Sequence, residues 1–288
     1  MFILGTLLLA VVTALACALP GVFVVLRKKS MVVDGIGHAV FPGIVVGYLL
    51  TRDLNSPLLV LGAALAGLLV VLGADWLSKT RMIAGDAPLG LIFPALFAVG
   101  VILVSSRLTD LHLDTHVVLV GDLNLASFDR LVVGGVDLGP SYLYVMLSVL
   151  ALNAVFLVAF YPQLQASTFD PGFARLLGVR TGALDTAFMF LVSVTVTAAF
   201  HAAGALLIIA LVVTPAATAQ IFAGRMGQLI AWTLAFAGLG AVLGFGLAYA
   251  LDASTSAGMA VFYGLQFATV LTVDRMAGSR RRTAVPVG

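Results

Sequence analysis

The sequence predicts an all-α polytopic membrane protein of about nine transmembrane helices, within a range of eight to ten. Three observations carry that reading. Of 288 residues, 61% are hydrophobic and 10% charged, whereas a soluble domain carries about 25% charged residues. Mean hydropathy is +1.15. Apolar runs of the roughly 20 residues needed to span a bilayer recur from one terminus to the other.

The first run covers 2–26. Ala16-Cys17-Ala18 looks like a signal-peptide cleavage site, but no positive charge precedes the run and Arg27-Lys28-Lys29 follow it. That is the pattern of a retained helix whose C-terminal end lies in the cytoplasm. Further runs lie at 31–50, 57–77, 87–105, 141–161, 184–200, 202–222, 228–250 and 257–275. The sixth and seventh are nearly continuous. Pro215 inside the seventh predicts a short, broken helix there.

With the N-terminus outside, twelve basic residues fall in the cytoplasm: Arg27, Lys28, Lys29, Lys79, Arg81, Arg175, Arg180, Arg225, Arg275, Arg280, Arg281 and Arg282. Arg52, Arg107 and Arg130 fall outside. This bias supports nine spans with a cytoplasmic C-terminus, because losing one middle helix inverts every later loop. The chain reads as one transmembrane domain, 1–288, with an external loop at 106–140, a cytoplasmic loop at 163–183 and a basic tail at 276–288. Gly43/Gly47 and Gly240/Gly244 form GxxxG pairs that allow close helix packing.

Composition also excludes classes. The net charge of +2 is spread between apolar runs, which leaves no nucleic-acid surface. A single cysteine, Cys17, leaves no disulfide and no cysteine metal cage. The sequence has no GxxxxGK[ST] phosphate loop, which excludes ATP hydrolysis by that route, no HExxH, which disfavours a zinc metalloprotease, and no Gly-x-Ser-x-Gly elbow.

Asp34 and His38 stand four residues apart inside the second run, on one helix face. Ionisable groups at membrane depth are functional candidates by default. His38 lies about 12 Å above Ser30 at the cytoplasmic edge. Pro42 donates no hydrogen bond to the His38 carbonyl, and freed carbonyls are tolerated where they line a cavity. Carboxylate and imidazole together suit Mn, Fe(II) or Zn; the alternative is a structural pair linking helices. Two ligands per chain make a weak site, which a second subunit can complete and a pore can release.

His112, Asp114 and His116 occupy alternate positions, either as a cation-collecting mouth or as a solvated loop. His201 lies at the outer junction of the sixth and seventh runs, as a vestibule residue or an ordinary interfacial histidine. Thr214 and Pro215 break the seventh run, as a pathway element or a packing kink. In the cytoplasmic loop, Asp170 is placed to cap a short amphipathic helix with Pro171 at its first position and Gly178 ending it. Phe173, Leu176 and Leu177 share one side of that helix, an apolar face suited to docking.

Three stretches carry a family resemblance: Arg27-Lys-Lys-Ser-Met-Val-Val-Asp-Gly-Ile-Gly-His-Ala-Val-Phe-Pro-Gly43, Gly204-Ala-Leu-Leu-Ile-Ile-Ala-Leu-Val-Val-Thr-Pro-Ala-Ala-Thr-Ala219 and Phe169-Asp-Pro-Gly-Phe-Ala-Arg-Leu-Leu-Gly178. Together they resemble the zinc/manganese/iron ABC permeases, the ABC-3 family, over nearly the whole chain. The resemblance implies a type II ABC importer-like permease in the bacterial cytoplasmic membrane. It implies a second permease subunit, copy or paralogue, separate ATPase subunits and an extracytoplasmic metal-binding protein. It maps the metal path onto Asp34 and His38, and ATPase coupling onto Asp170, Phe173, Ala174, Leu177 and Gly178. It implies no permanent cofactor, only a transported Mn2+, Fe2+ or Zn2+. Gly37 departs from the family, which usually has Ser before the His. His112-Leu-Asp-Thr-His116 followed by Gly121 looks closer to the manganese and iron branch. Two other readings stand beside this one: a secondary cation transporter with Asp34 as coupling site, and an intramembrane metalloenzyme.

Overall fold

The computed structural model describes residues 2–53, 56–80, 82–83, 85–107, 123–133 and 136–283. Its helices are α1 (Phe2–Leu26), α2 (Ser30–Thr51), α3 (Pro57–Lys79), α4 (Ala87–Arg107), α5 (Leu123–Ala126), α6 (Ser141–Ala159), α7 (Tyr161–Phe169), α8 (Pro171–Leu176), α9 (Thr181–Gln220), α10 (Met226–Ala250) and α11 (Thr255–Thr283). Eight of them are long and apolar enough to cross a bilayer.

The difference from nine lies in α9. The sixth and seventh runs form one 40-residue element, interrupted at Gly204, whose φ 73° and ψ 166° are non-helical. That conformation is essentially glycine-only. The arm before Gly204 reaches Tyr142, whose hydroxyl donates to the Ala198 carbonyl at 2.6 Å. Beyond Gly204, Ala205, Ile208 and Ile209 lie beside Asp34 and His38, and the Val212 carbonyl abuts Gly21. The chain therefore turns back at Gly204 toward the end it came from. Two apolar runs were legible, but not the single residue that joins them.

The bundle has two chemically distinct ends. At one, Thr6 bonds Ser127 at 2.8 Å and Gly5 meets Pro140. Strands β1 (Arg130–Val133) and β2 (Val136–Pro140) form an antiparallel hairpin there, an addition to the all-helical expectation. Arg130 and Asp137 pair across it at 2.7 Å. At the other end, Arg27 and Lys29 meet Asp185, beside α7 and α8.

Helices α1 and α9 are central: 72% and 67% of their most apolar windows are buried, against 17% for α4 and α11. Small residues bring the axes together, as membrane helices require when lipid is as apolar as the side chains. Gly43 meets the Gly62–Ala63 backbone of α3, and Gly240 and Gly244 meet Tyr263 and Met259 of α11. Both GxxxG pairs are thus used inside the chain. Pro20 leaves the Ala16 carbonyl of α1 without its helical donor. The buried Asn153 amide of α6 replaces it at 2.9 Å and also donates to Thr195 of α9 at 2.9 Å. One polar side chain thereby ties three helices at mid-depth.

Candidate functional site

Asp34 and His38 lie on α2 facing a small cleft lined also by Val33, Gly37, Ala205, Ile208 and Ile209. Their i, i+4 spacing brings His38 Nε2 to 3.6 Å from Asp34 Oδ1, near enough to share a ligand and too far for a hydrogen bond. The side chains are 38% and 33% exposed. Both therefore keep their lone pairs available toward the cleft.

The ring of His38 is held from α4. Phe93 stacks on it at 5.1 Å and 15°, and Phe97 meets it edge-on at 6.2 Å and 87°. One stacked ring and one perpendicular ring hold the imidazole plane from the α4 side. Pro42 lies inside α2 and packs at Gly100 of α4. It supplies no N–H to the His38 carbonyl, as expected from its position. Among the described residues, no neighbouring side chain or other helix comes within 4 Å of where a Gly37 Cβ would lie, so there is room for a side chain at the position before His38.

Among the described residues, no third His, Cys, Asp or Glu joins this pair. His201 is elsewhere, its ring 4.9 Å from that of Tyr142 and tilted by 41°, near the hairpin end. His112, Asp114 and His116 lie outside the described residues. Pro215 is buried in the returning arm of α9, where the Thr218 hydroxyl donates to the Thr214 carbonyl at 2.7 Å.

The 163–183 loop holds two short helices, α7 and α8, where one was expected. Asp170 Oδ1 accepts from Gly172 N and Phe173 N, both at 2.9 Å, capping α8 with Pro171 in its first turn. Gly178 follows the helix at φ 82°, the left-handed exit that glycine adopts most readily. Phe173, Leu176 and Leu177 are exposed. Ala174 is fully buried, so it anchors α8 to the bundle rather than standing on the exposed face.

The sequence profile of the ABC 3 transport family matches residues 1–274. The chain belongs to the ABC 3 transport family. The zinc transport system membrane protein TroD of Treponema pallidum is 40% identical over 278 residues, covering 96% of this chain and 76% of that protein. The manganese transport system membrane protein MntD of Bacillus subtilis is 34% identical over 259 residues, covering 90% and 88%. Among solved structures, PsaBC from Streptococcus pneumoniae in complex with Fab matches with a TM-score of 0.76 over 94% of this chain and 91% of that one, at 24% identity. The fold is thus that of a multi-pass ABC permease of the bacterial plasma membrane.

Sequence reasoning missed three groups of participants. Phe93 and Phe97 are apolar residues in an apolar run and carry no signal. Ala205, Ile208 and Ile209 reach the cleft only because α9 turns back. Asp185, the partner of Arg27 and Lys29, did carry a signal: it is a carboxylate at the edge of an apolar run.

Proposed function

We propose that this chain, as a single transmembrane domain over 1–288, is the membrane-spanning permease of an ABC importer for divalent transition metals, Mn2+ first and Fe2+ or Zn2+ next. The observation that carries the proposal is the Asp34–His38 pair, half-exposed and without a hydrogen bond between its members or to any other described side chain, facing a cleft in the bundle of an ABC 3 family member. A carboxylate and an imidazole form a mixed oxygen and nitrogen set suited to these ions. Relatives named for zinc and for manganese transport support the substrate class. Membership of an ABC family leaves the secondary-transporter reading without support.

The metal is cargo, so a weak two-ligand site per chain serves transport better than a closed cage. A second permease subunit, identical or paralogous, supplies the remaining ligands. An extracytoplasmic metal-binding protein delivers the ion. ATPase subunits dock at the 163–183 loop, through Asp170-capped α8 with Phe173 and Leu177 forward and Gly178 closing the turn. We assign His201 and, from the sequence pattern alone, His112, Asp114 and His116 to cation entry, and Thr214 and Pro215, on the returning arm of α9, to the path. The chain holds no permanent cofactor.

Uptake of radioactive manganese by cells expressing the whole transporter tests this, comparing the native chain with Asp34→Ala and His38→Ala, with unlabelled zinc and iron as competitors. Both substitutions are expected to abolish uptake while membrane abundance and ATPase binding hold, and the competition order names the cargo. Uptake that survives both substitutions makes the pair structural.

A further inference from the structure

The junction between α1 and α2 holds a charged cluster that the metal-path reading does not use. Arg27 is only 9% exposed in its side chain, and each of its three guanidinium nitrogens donates a hydrogen bond. Nη1 donates to Asp185 Oδ1 at 2.8 Å, Nε to Thr168 Oγ1 at 3.0 Å and Nη2 to Ser167 Oγ at 3.0 Å. The cation also lies 5.0 Å over the ring of Phe188. Lys29 Nζ donates to the other Asp185 oxygen at 2.7 Å. Burial lowers the Arg27 pKa from its ordinary value, and the Asp185 carboxylate offsets only part of that.

Three structural units meet in this cluster. Ser167 and Thr168 form the last turn of α7, directly before Asp170, the cap of α8. Asp185 lies in the opening turns of α9, the helix whose returning arm lines the cleft. Arg27 and Lys29 immediately precede α2, and Asp34 follows four residues after Ser30. Lys28 between them takes a left-handed φ of 56°. This closes the reversal, with Lys29 N bonded to Val24 O at 2.9 Å. Both flanking cations reach the one carboxylate across that reversal.

We propose that Arg27, Lys29 and Asp185 form a clasp that transmits displacement of the α7–α8 docking loop to α2 and α9, and so to the Asp34–His38 cleft. This inference rests on the proposed transport function. A planar fork of donors holding three acceptors in fixed directions transmits a shift that a single mobile ion pair absorbs. Asp185 balances two cations, so its loss frees both at once. These are positioning residues: they touch no metal and act through the helices they tie together.

The test uses the complete transporter in vesicles, permease pair, ATPase and extracytoplasmic metal-binding protein together. Phosphate release and uptake of manganese, iron(II) and zinc are measured side by side. Asp185→Asn and Arg27→Lys are each expected to lower metal imported per ATP hydrolysed by about tenfold, within the range of ordinary coupling between sites. Asp185→Glu is expected to restore much of the ratio. Arg27→Lys keeps the charge and an Asp185 partner but cannot hold Ser167 and Thr168 as well. It reads the ratio even if Asp185→Asn accumulates poorly. A wild-type ratio in both variants overturns the clasp, whether or not their yield drops, because reduced yield alone marks a role in stability. No ATP-dependent uptake of any of the three metals by the native transporter overturns the transport function instead.

Discussion

Gly37 and Gly43 lie six residues apart on α2 and face opposite environments. A Cβ on Gly37 meets nothing within 4 Å, whereas one on Gly43 falls on backbone atoms of Gly62 and Ala63. Backbone cannot swing aside as a flexible side chain can, so α2 and α3 must separate to admit it. Gly43→Ala is expected to destabilise the permease by about 1–3 kcal/mol, the usual cost of overpacking. Gly37→Ala should leave stability unchanged. Thermal unfolding of the two variants in detergent checks the contrast, and equal losses would refute this account of α2 packing. Gly37→Ser is admitted by the same free space and adds a hydroxyl beside His38. The same residue scale shows what the sequence made legible. Asp34 and His38 stand out because ionisable groups are rare at depth. Phe93 and Phe97 fix the imidazole plane, yet as apolar side chains in an apolar span they have no contrast against their neighbours. Their role exists only once α4 lies against α2.

At the scale of elements, the short helix α8 separates two faces within four residues. Asp170, Pro171 and Gly178 mark its start and end in the sequence by local chemistry, which is why its boundaries were legible. Phe173 and Leu177 are 53% and 62% exposed, while Ala174 is fully buried. Asp at both Phe173 and Leu177 is expected to release the ATPase from the purified complex with permease abundance intact, since neither side chain supports the bundle. Ala174→Asp introduces an unpaired charge in a packed position and should reduce permease abundance itself. Co-purification of ATPase at the native ratio with the double variant would remove α8 as the docking element. Element α9 was less legible for a physical reason. Its two arms have separate apolar periodicity, and only the Gly204 backbone conformation, which no composition reports, makes the second arm fold back into the cleft.

At the scale of the whole molecule, the two ends of the bundle carry the orientation. The end with Arg27, Lys29 and Asp185 is also where α3 finishes at Lys79 and α10 begins after Arg225. The hairpin end holds Arg130, neutralised by Asp137. Unbalanced positive charge at one end places that end in the cytoplasm, because lysine and arginine are retained on the side of synthesis. The turn at Gly204 is what keeps this assignment consistent: eight long helices would reverse the later loops if α9 crossed once, but its returning arm restores Arg225 to the basic end. Single cysteines test this directly, against a background in which the native Cys17 is buried. Phe128 is 67% exposed at the hairpin end, and Gly227 is exposed at the start of α10 with open space at its Cβ. A membrane-impermeant maleimide applied to intact cells is expected to label Phe128→Cys and to reach Gly227→Cys only after the membrane is opened. Labelling of both from outside would mean that α9 crosses without returning. It would also separate the Ala205–Ile209 arm from the Asp34–His38 cleft, so sidedness and cleft geometry stand or fall on the same turn.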